Sequence, residues 1–279
     1  MTFSEKAFST FIDFVSFVRH PLPPRKRAAA LLSYCKLNAL GLFLKRSQRK
    51  TRFCSFTLPR FSVGFVVPSY NETFFRGQYW FRSKTRKPVI IECGANIGVT
   101  TLYFKWLYPA AEIHAFEPDP AIFACYEETV QRNALSNVTA YRSAVSDTNA
   151  DLQFYRGETT YGTGSLVKGR NAADSALKVK ATRLSEFIKR LRRRIDFLKV
   201  DIEGGEWALF KDLDRQGSLR SVDQLVIEYH HHMGLPSTSL ADVLSALTRN
   251  GFDFQCTAML FPLASKDKPQ DIMIYAYKK

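Results

Sequence analysis

Acidic residues are missing from a long stretch near the N-terminus, because no Asp or Glu occurs between Asp13 and Glu72. Ten lysines and arginines lie between Arg19 and Arg52, and they contribute much of the formal net charge of +14. A basic segment that also carries aromatic residues suits an anionic membrane surface, an acidic glycan or a nucleic acid. We therefore treat residues 1–52 as a basic, amphipathic helical extension of the chain.

Paired cysteines and long apolar runs are also missing. The five cysteines include no C-x-x-C pair, which indicates reduced thiols in a cytoplasmic protein. No apolar run reaches the roughly 18 residues of a membrane-spanning helix. Glu5 and Asp13 interrupt the apolar N-terminus, so no signal peptide is expected. We expect a cytoplasmic protein; peripheral attachment to an anionic inner membrane surface through the basic N-terminal helices is the alternative.

The run from Val89 to Val99, VIIECGANIGV, predicts a buried strand, a tight glycine turn and the start of a helix. The turn has the spacing G-x-N-x-G over Gly94, Asn96 and Gly98, which differs from the G-x-G-x-x-G of dinucleotide sites. No P-loop lysine follows it. Glycines let the backbone approach a ligand closely, so we favour a nucleotide ligand without phosphates. S-adenosylmethionine is such a ligand.

A carboxylate suited to the ribose diol of that ligand follows 25 residues after Glu92. Residues 111–116 predict a short strand that ends at Glu117 and Pro118. The carboxyl edge of strands is where open α/β sheets bind ligands. The order of the glycine turn and this acid therefore predicts a site for S-adenosylmethionine.

Four segments together resemble the FkbM-type S-adenosylmethionine-dependent methyltransferases. They are ECGANIG (92–98), EPDP (117–120), AVSD (144–147) and LKVDIEGGE (198–206). The resemblance spans residues 74–277 and implies a class I methyltransferase fold that methylates hydroxyl groups of sugars and related natural products. It also implies that Glu92, where the family usually has Asp, reaches the amino group of the cofactor, and that Ser143 and Ala144 lie near the adenine ring. The expected cofactor-binding residues are Glu92, Gly94, Asn96, Gly98, Glu117, Pro118, Ser143, Ala144 and Asp201.

From residue 88 onward, predicted strands and helices alternate along the chain. Such alternation favours a doubly wound, mainly parallel, Rossmann-like sheet, and we expect an antiparallel strand pair at its C-terminal end. We assign residues 88–279 to the cofactor-binding methyltransferase domain. Apolar spacing predicts two helices in the N-terminal extension, at residues 2–19 and 25–44.

Residues 53–87 are predicted to form a β-hairpin followed by a helix that Asn71 caps. The hairpin strands are expected at residues 53–58 and 61–67 around Pro59, and the helix is expected to end near Ser83. The family resemblance implies that this segment covers the cofactor pocket. Tyr70 is then a candidate lid residue, whereas Phe75 is expected in the core.

Two predicted strands end in polar residues that could carry the reaction. The first strand ends at Asp201 and Glu203, and the next one ends at Glu228 and His230. Side chains two apart along a strand point to the same side, and neighbouring strand ends lie close together. We therefore expect these four groups to converge near the transferable methyl group.

A sugar hydroxyl is a weak acid, so its methylation needs a base or a bound cation. One hypothesis makes His230 or Asp201 the base, with Glu203 and Glu228 orienting the base or the substrate. A second hypothesis gives the same four side chains a Mg²⁺ ion that lowers the pKa of the hydroxyl. A third interpretation is structural: Glu203 and Glu206 cap the helix that follows them.

We expect an S-adenosylmethionine-dependent O-methyltransferase that acts on a sugar in a glycan, a glycolipid or a glycosylated natural product. RNA or protein methylation through the basic N-terminus and a non-catalytic cofactor-binding module are the alternatives. The sequence has no N-P-P-Y motif of the kind that amide and base methyltransferases use. A nucleic-acid partner is therefore not favoured, and the sequence leaves a homo-oligomer open.

Overall fold

The computed structural model describes residues 17–18, 21–44, 47–156, 164–167, 175–231, 239–258 and 270–278. The helix predicted for residues 2–19 lies outside this part of the chain except for Phe17 and Val18. Phe17 stacks on Phe75 with 4.3 Å between the ring centroids. Among the described helices, none combines the length and apolar content that a membrane crossing requires.

A helix, a hairpin and a second helix form the N-terminal unit. Their bounds are Pro24–Leu44 (α1), Gln48–Phe53 (β1), Phe56–Ser62 (β2) and Val63–Tyr70 (α2). Proline suits the first turn of α1 because the N–H it lacks would have no helical acceptor there. The helix α1 packs on α2 and buries Ala30 and Leu37. The second predicted helix is therefore confirmed, while the hairpin begins earlier than expected.

The hairpin turns at Cys54 and Ser55, so the turn predicted at Pro59 is wrong. Both turn residues have positive φ, 47° and 75°, as in the two-residue turns that match the twist of hairpin strands. Pro59 lies inside β2, opposite a shift in register between Arg49 and Thr51. A bulge interrupts the hydrogen-bond ladder, so the missing N–H of proline is tolerated there.

The chain continues from α2 directly into a π-helix, Asn71–Phe75, so the helix predicted from Asn71 to Ser83 is wrong. Tyr70 is not a lid residue either: it is fully buried, and its hydroxyl donates to the carbonyl of Ala30 at 2.8 Å. Phe75 is in the core as predicted, stacked on Tyr34 at 3.8 Å. Aromatic packing therefore fixes this segment to α1.

The remaining described chain alternates between strands and helices. These elements are Val89–Cys93 (β3), Val99–Leu107 (α3), Glu112–Phe116 (β4), Pro120–Arg132 (α4), Val138–Tyr141 (β5), Ala144–Ser146 (β6), Asp151–Arg156 (β7), Gly164–Ser165 (β8), Ser175–Arg183 (β9), Leu184–Leu191 (α5), Ile195–Val200 (β10), Glu206–Arg215 (α6), Val222–His231 (β11), Ser239–Arg249 (α7), Phe252–Ala258 (β12) and Gln270–Lys278 (β13).

Seven of these strands form one sheet in the order β12-β13-β11-β10-β3-β4-β5. Paired strands run parallel except at β13, which is antiparallel to both β11 and β12. The predicted doubly wound, mainly parallel sheet is therefore confirmed. The strand order reverses between β3 and β10. Such a switch point is where open α/β sheets bind ligands.

Side chains on the two faces of β3 enter two different apolar clusters. Ile90 packs in a cluster that includes Phe74 and much of the N-terminal unit. Val89 and Ile91 belong to the cluster on the other face, which includes Leu209 of α6. Successive side chains of a strand point to opposite faces, so a largely apolar strand is expected where both faces are covered.

The strands β6 to β9 form a smaller sheet in the order β6-β9-β7-β8. Gly164 of β8 lies so close to the ring of Phe154 of β7 that an added Cβ would be 2.4 Å from the ring. Ser165 of β8 donates its hydroxyl to the backbone carbonyl of Glu203. The smaller sheet is thereby tied to the loop that follows β10.

Candidate active site

The turn between β3 and α3 packs tightly against the loop after β10. Gly94 has a φ of +81°, and a Cβ at this position would lie 1.9 Å from the carbonyl oxygen of Asp201. Only glycine meets both the steric and the conformational demand. Asn96, in the same turn, donates its backbone N–H to Glu117 at 3.0 Å. The ends of β3, β4 and β10 are thus joined at one edge of the sheet.

A cleft of about 620 Å³ opens at this edge, and we call it the first cleft. The apolar side chains of Phe154, in the smaller sheet, and Leu166, just after β8, form part of its wall. Seven of the nine residues predicted to bind the cofactor also line it: Gly94, Asn96, Glu117, Pro118, Ser143, Ala144 and Asp201. The structure therefore brings residues from four separate strand ends to one cavity.

Glu117 is oriented by two backbone N–H groups. Its Oε2 accepts from Asn96 at 3.0 Å, and its Oε1 accepts from Asp119 at 2.9 Å. Burial raises the pKa of Glu117 to about 7, and the two amide donors oppose that rise. The carboxylate is thus fixed in the wall of the first cleft, where it can accept hydrogen bonds from a diol.

The other two predicted cofactor residues, Glu92 and Gly98, occupy packing positions behind the turn. Glu92 is fully buried, and its Oε2 accepts a hydrogen bond from Thr101 at 2.5 Å. Burial raises the pKa of Glu92 to about 7. Gly98 begins α3 with a φ of +92°, and a Cβ there would lie 3.1 Å from the Thr129 methyl group. Gly98 therefore lets α3 and α4 pack closely.

A second cleft, of about 680 Å³, adjoins the first. Both clefts are bordered by Gly94, Asn96, Asp201 and Glu203. Further walls of the second cleft come from α2, the π-helix and the ends of β10 and β11, and they include Phe65, Ser69, Glu72, Tyr79, Lys199 and Glu228. Ligands bound in the two clefts would meet above the four shared residues.

Lys199 is a buried cation at this junction, and the sequence analysis missed it. Its Nζ donates to the carbonyl of Gly94 at 2.5 Å and to Asp201 at 3.1 Å. Burial favours a lower pKa for Lys199, but the charges of Asp201 and Glu92 outweigh burial and raise the pKa above its ordinary value. The ammonium is therefore charged. A lysine inside the apolar run Phe197–Val200 was the available signal.

Asp201, Glu203 and His230 form a cluster in which one ligand atom from each residue lies within 4.8 Å of the others. Strand alternation does not explain the proximity of Asp201 and Glu203, as the sequence analysis assumed, because β10 ends at Val200. Glu203 instead stands in the following loop with a left-handed φ of +59°. From there its carboxylate lies 3.3 Å from His230 Nε2 on β11.

His230 is held between two carboxylates. Its Nδ1 lies 2.9 Å from Glu206, and its Nε2 lies 3.3 Å from Glu203. Burial opposes the charged ring, but the two carboxylates prevail and raise the pKa of His230 to about 10. The ring is therefore an imidazolium at neutral pH and is not suited to accept a proton. Glu206 also accepts from the backbone N–H of Gly204 at 3.1 Å, but Gly204 precedes the helix, and α6 has no side-chain cap hydrogen bond at its N-terminus. The predicted helix cap is therefore wrong, and Glu206 instead fixes the loop before α6 and the ring of His230.

Glu228, the fourth predicted residue, lies on the wall of the second cleft instead of in this cluster. The hydroxyl of Tyr79 donates to Glu228 at 3.2 Å. Burial, reinforced by the charge of Asp201, raises the pKa of Glu228 to about 8. Tyr79 had no sequence signal, because its partner lies 149 positions away along the chain.

The sheet order, the single antiparallel strand near the C-terminus and the glycine turn at the switch point define a class I methyltransferase fold. A family model described as the methyltransferase FkbM domain matches residues 92–254, which include every residue of the cluster and of the turn. The chain belongs to the FkbM methyltransferase family.

Three proteins illustrate the extent of similarity to known methyltransferases. Methyltransferase sdnD of Sordaria araneosa is 30% identical over 214 residues, which cover 66% of this chain and 81% of that protein. Methyltransferase 1 of Beauveria bassiana is 30% identical over 158 residues, which cover 50% of this chain and 63% of that protein, less than two thirds of its length. The 2-O-methyltransferase NoeI of Sinorhizobium fredii is 26% identical over 134 residues, which cover 43% of this chain and 54% of that protein.

Proposed function

We propose that this protein uses S-adenosylmethionine to methylate a hydroxyl group of a sugar in a glycan, a glycolipid or a glycosylated natural product. The observation that carries the proposal is the pair of clefts that meet at Gly94, Asn96, Asp201 and Glu203. Transfer between two bound molecules is accelerated when both are held in adjoining sites with their reacting atoms aligned. Two clefts with a common border provide that arrangement.

The first cleft offers a partner to each polar part of S-adenosylmethionine. Glu117 would accept hydrogen bonds from the ribose diol, and Ser143 and Ala144 would lie beside the adenine ring. The backbone at Gly94 would face the methionine end. The sulfonium would then lie near the border, where the negative charges of Asp201 and Glu203 suit its positive charge.

The second cleft suits an uncharged acceptor with several hydroxyl groups. Glu72 can accept hydrogen bonds from hydroxyls, and the carboxyl group of Glu228, whose pKa is raised to about 8, can both donate and accept them. Phe65 and Tyr79 offer apolar ring faces. Similarity to the 2-O-methyltransferase NoeI supports oxygen as the atom that receives the methyl group.

We assign Asp201 as the base, because it borders both clefts whereas His230 is already protonated. The reaction is an in-line displacement in which the oxygen–carbon bond forms as the carbon–sulfur bond breaks. The hydroxyl proton passes to Asp201. Lys199 holds the Asp201 carboxylate at 3.1 Å, and His230 fixes Glu203 beside it.

A divalent cation held by Asp201, Glu203 and His230 is the alternative means of activating the hydroxyl. Two carboxylates and an imidazole within 4.8 Å fit such an ion, provided that His230 gives up the proton it shares with its acidic neighbours. A bound cation would lower the pKa of the acceptor hydroxyl. Full turnover after exhaustive chelation would exclude this alternative.

Isothermal titration with S-adenosylmethionine and its demethylated product tests the donor site. Transfer of labelled methyl to pools of glycans, RNA and protein tests the acceptor class, and label in glycans is the expected result. Asp201→Asn should lower kcat by about 10²-fold or more while the cofactor Kd changes little. Asp151→Asn, at an exposed position of β7, is the matched control. Label that appears in RNA or protein alone would contradict the acceptor class, and absence of cofactor binding would contradict the entire proposal.

A further inference from the structure

We propose that α1 and the β1–β2 hairpin form a docking surface for a membrane that carries anionic lipid headgroups. This surface lies outside both clefts. The proposal is therefore independent of the methyl acceptor and of the proposed function.

Exposed apolar side chains are concentrated on one side of α1. Six large hydrophobic side chains are exposed in the described residues, and four of them belong to α1: Leu31, Leu32, Leu42 and Phe43. Leu32, Leu42 and Phe43 are 73%, 81% and 84% exposed. Leu31 and Leu42, like Leu32 and Phe43, are eleven positions apart, which is about three helical turns, so the four side chains share one side of α1. The exposed Cys35, Lys36 and Ala39 lie between the two apolar pairs on that side, which we call the apolar stripe. Exposed apolar side chains gathered on one surface mark a site of interaction.

A groove of about 750 Å³ lies beside this stripe, between α1 and the hairpin. Its walls combine the apolar side chains of Leu32 and Phe56 with the cationic side chains of Lys36 and Arg52. An anionic headgroup that continues into an acyl chain has the matching chemistry, with a negative charge next to an apolar tail.

Lys36, Arg49, Lys50 and Arg52 form no ion pair with a carboxylate in the described part of the chain. Some exposed basic residues of the methyltransferase domain do form such pairs. Examples are the 2.6 Å contacts of Arg193 with Glu112 and of Arg249 with Asp214. Because uncompensated positive charge would repel a second copy of the same surface and attract an anionic bilayer, we commit to the bilayer as the occupant.

Other side chains of α1 fix the helix to the rest of the protein. Tyr34 stacks on Phe75 at 3.8 Å, and the amide of Asn38 lies 3.1 Å from the side-chain oxygen of Asn71. The next residue, Glu72, lines the second cleft. A protein docked through α1 would therefore hold the second cleft close to the lipid headgroups.

Sedimentation of the full chain with vesicles tests the surface. The vesicles contain phosphatidylcholine alone or phosphatidylcholine mixed with phosphatidylglycerol. We expect the protein to bind the anionic vesicles, and we expect added salt to weaken the binding. The double variants Leu42→Ser with Phe43→Ser, and Lys36→Glu with Arg52→Glu, should each lower the partition coefficient by about tenfold or more.

Matched controls alter exposed residues of the same type elsewhere. Tyr277→Ser and the pair Lys178→Glu with Lys180→Glu should leave the partition coefficient unchanged, and circular dichroism should show all variants folded. Equal partition of the wild type and both α1–hairpin variants would overturn the proposal. A second result would also overturn it: the wild type does not bind anionic vesicles, light scattering shows a dimer, and the Leu42→Ser with Phe43→Ser variant is a monomer. The occupant of the surface would then be a second copy of the chain.

Discussion

The ammonium of Lys199 lies 2.5 Å from the carbonyl oxygen of Gly94, so one buried side chain links the turn after β3 to the strand that carries the reacting loop. The same Nζ holds the carboxylate of Asp201 at 3.1 Å. Since Gly94 and Asp201 border both clefts, this cation sets the geometry at the point where donor and acceptor would meet.

Lys199→Met should weaken both the fold and the donor site. The variant leaves a buried carbonyl and a partly buried carboxylate without their donor, which should reduce the free energy of unfolding by about 2 kcal/mol. We expect the Kd for S-adenosylmethionine to rise by about tenfold, since roughly 1.4 kcal/mol of binding free energy is lost. Urea unfolding and calorimetric titration measure the two effects. Lys211→Met, at an exposed position of α6, is the control, and an unchanged Kd in Lys199→Met would refute the assigned role.

Gly94→Ala should abolish cofactor binding and destabilise the fold by about 3 kcal/mol or more, because the new Cβ would overlap the Asp201 carbonyl. Gly217→Ala is a matched comparison. Gly217 also has positive φ, at +67°, but no atom lies within 4 Å of the added Cβ. Gly217→Ala should lower the free energy of unfolding only by the conformational penalty of about 1 kcal/mol. Similar melting temperatures for the two variants would show that the close approach at Gly94 is unimportant.

The affinity for S-adenosylmethionine should rise with pH through the titration of Glu117. Its pKa is about 7, and the ionised form is the one that accepts hydrogen bonds from the ribose diol. Below that pH, each unit of acidification should weaken binding by at most about tenfold; above it, affinity should level off. Titrations across this range in wild type, Glu117→Gln and the exposed control Glu127→Gln measure the effect. A pH dependence as steep in Glu117→Gln as in the wild type would rule out this carboxylate as its source.

His230 should stabilise the fold most at acidic to neutral pH. Its folded-state pKa, about 10, is raised above the ordinary value of 6.5. The stabilisation is therefore complete below about pH 6.5 and is lost as the pH rises toward 10. The difference in unfolding free energy between wild type and His230→Gln should be largest near pH 6.5 and should shrink as the pH rises. His114→Gln controls for the loss of another buried histidine, and a pH-independent difference would contradict the ion pairing of His230.

Local patterns in the sequence were sufficient for the sheet and for most of the predicted residues that line the first cleft. The strand before Gly94 and the one before Glu117 are apolar runs bounded by turn residues, and both signals are local. The prediction of the hairpin turn was wrong because the local signal there was misleading. Pro59 carries a strong local turn signal but lies at a bulge, whereas Cys54 and Ser55 form the turn without the Gly, Asn or Asp that two positive φ values usually require.

The rest of the site depends on contacts between distant parts of the chain. Tyr79 and Lys199 acquire their roles from partners that are 149 and 105 positions away. The charge of His230 depends on Glu206, which lies on another element. No periodicity or motif encodes such pairings, so the sequence indicated which residues were chemically suitable but not which of them would touch.

The two clefts share a floor but have walls of different origin. In the floor, Gly94 is so close to the backbone of Asp201 that position 94 accepts only glycine. Phe65, Ser69 and Glu72, by contrast, enter the second cleft from residues 63–75, a segment outside the family match that begins at residue 92. If the second cleft holds the acceptor, as we propose, acceptor choice is modular: we expect that grafting residues 63–75 from one homologue onto another would change the acceptor without rebuilding the first cleft.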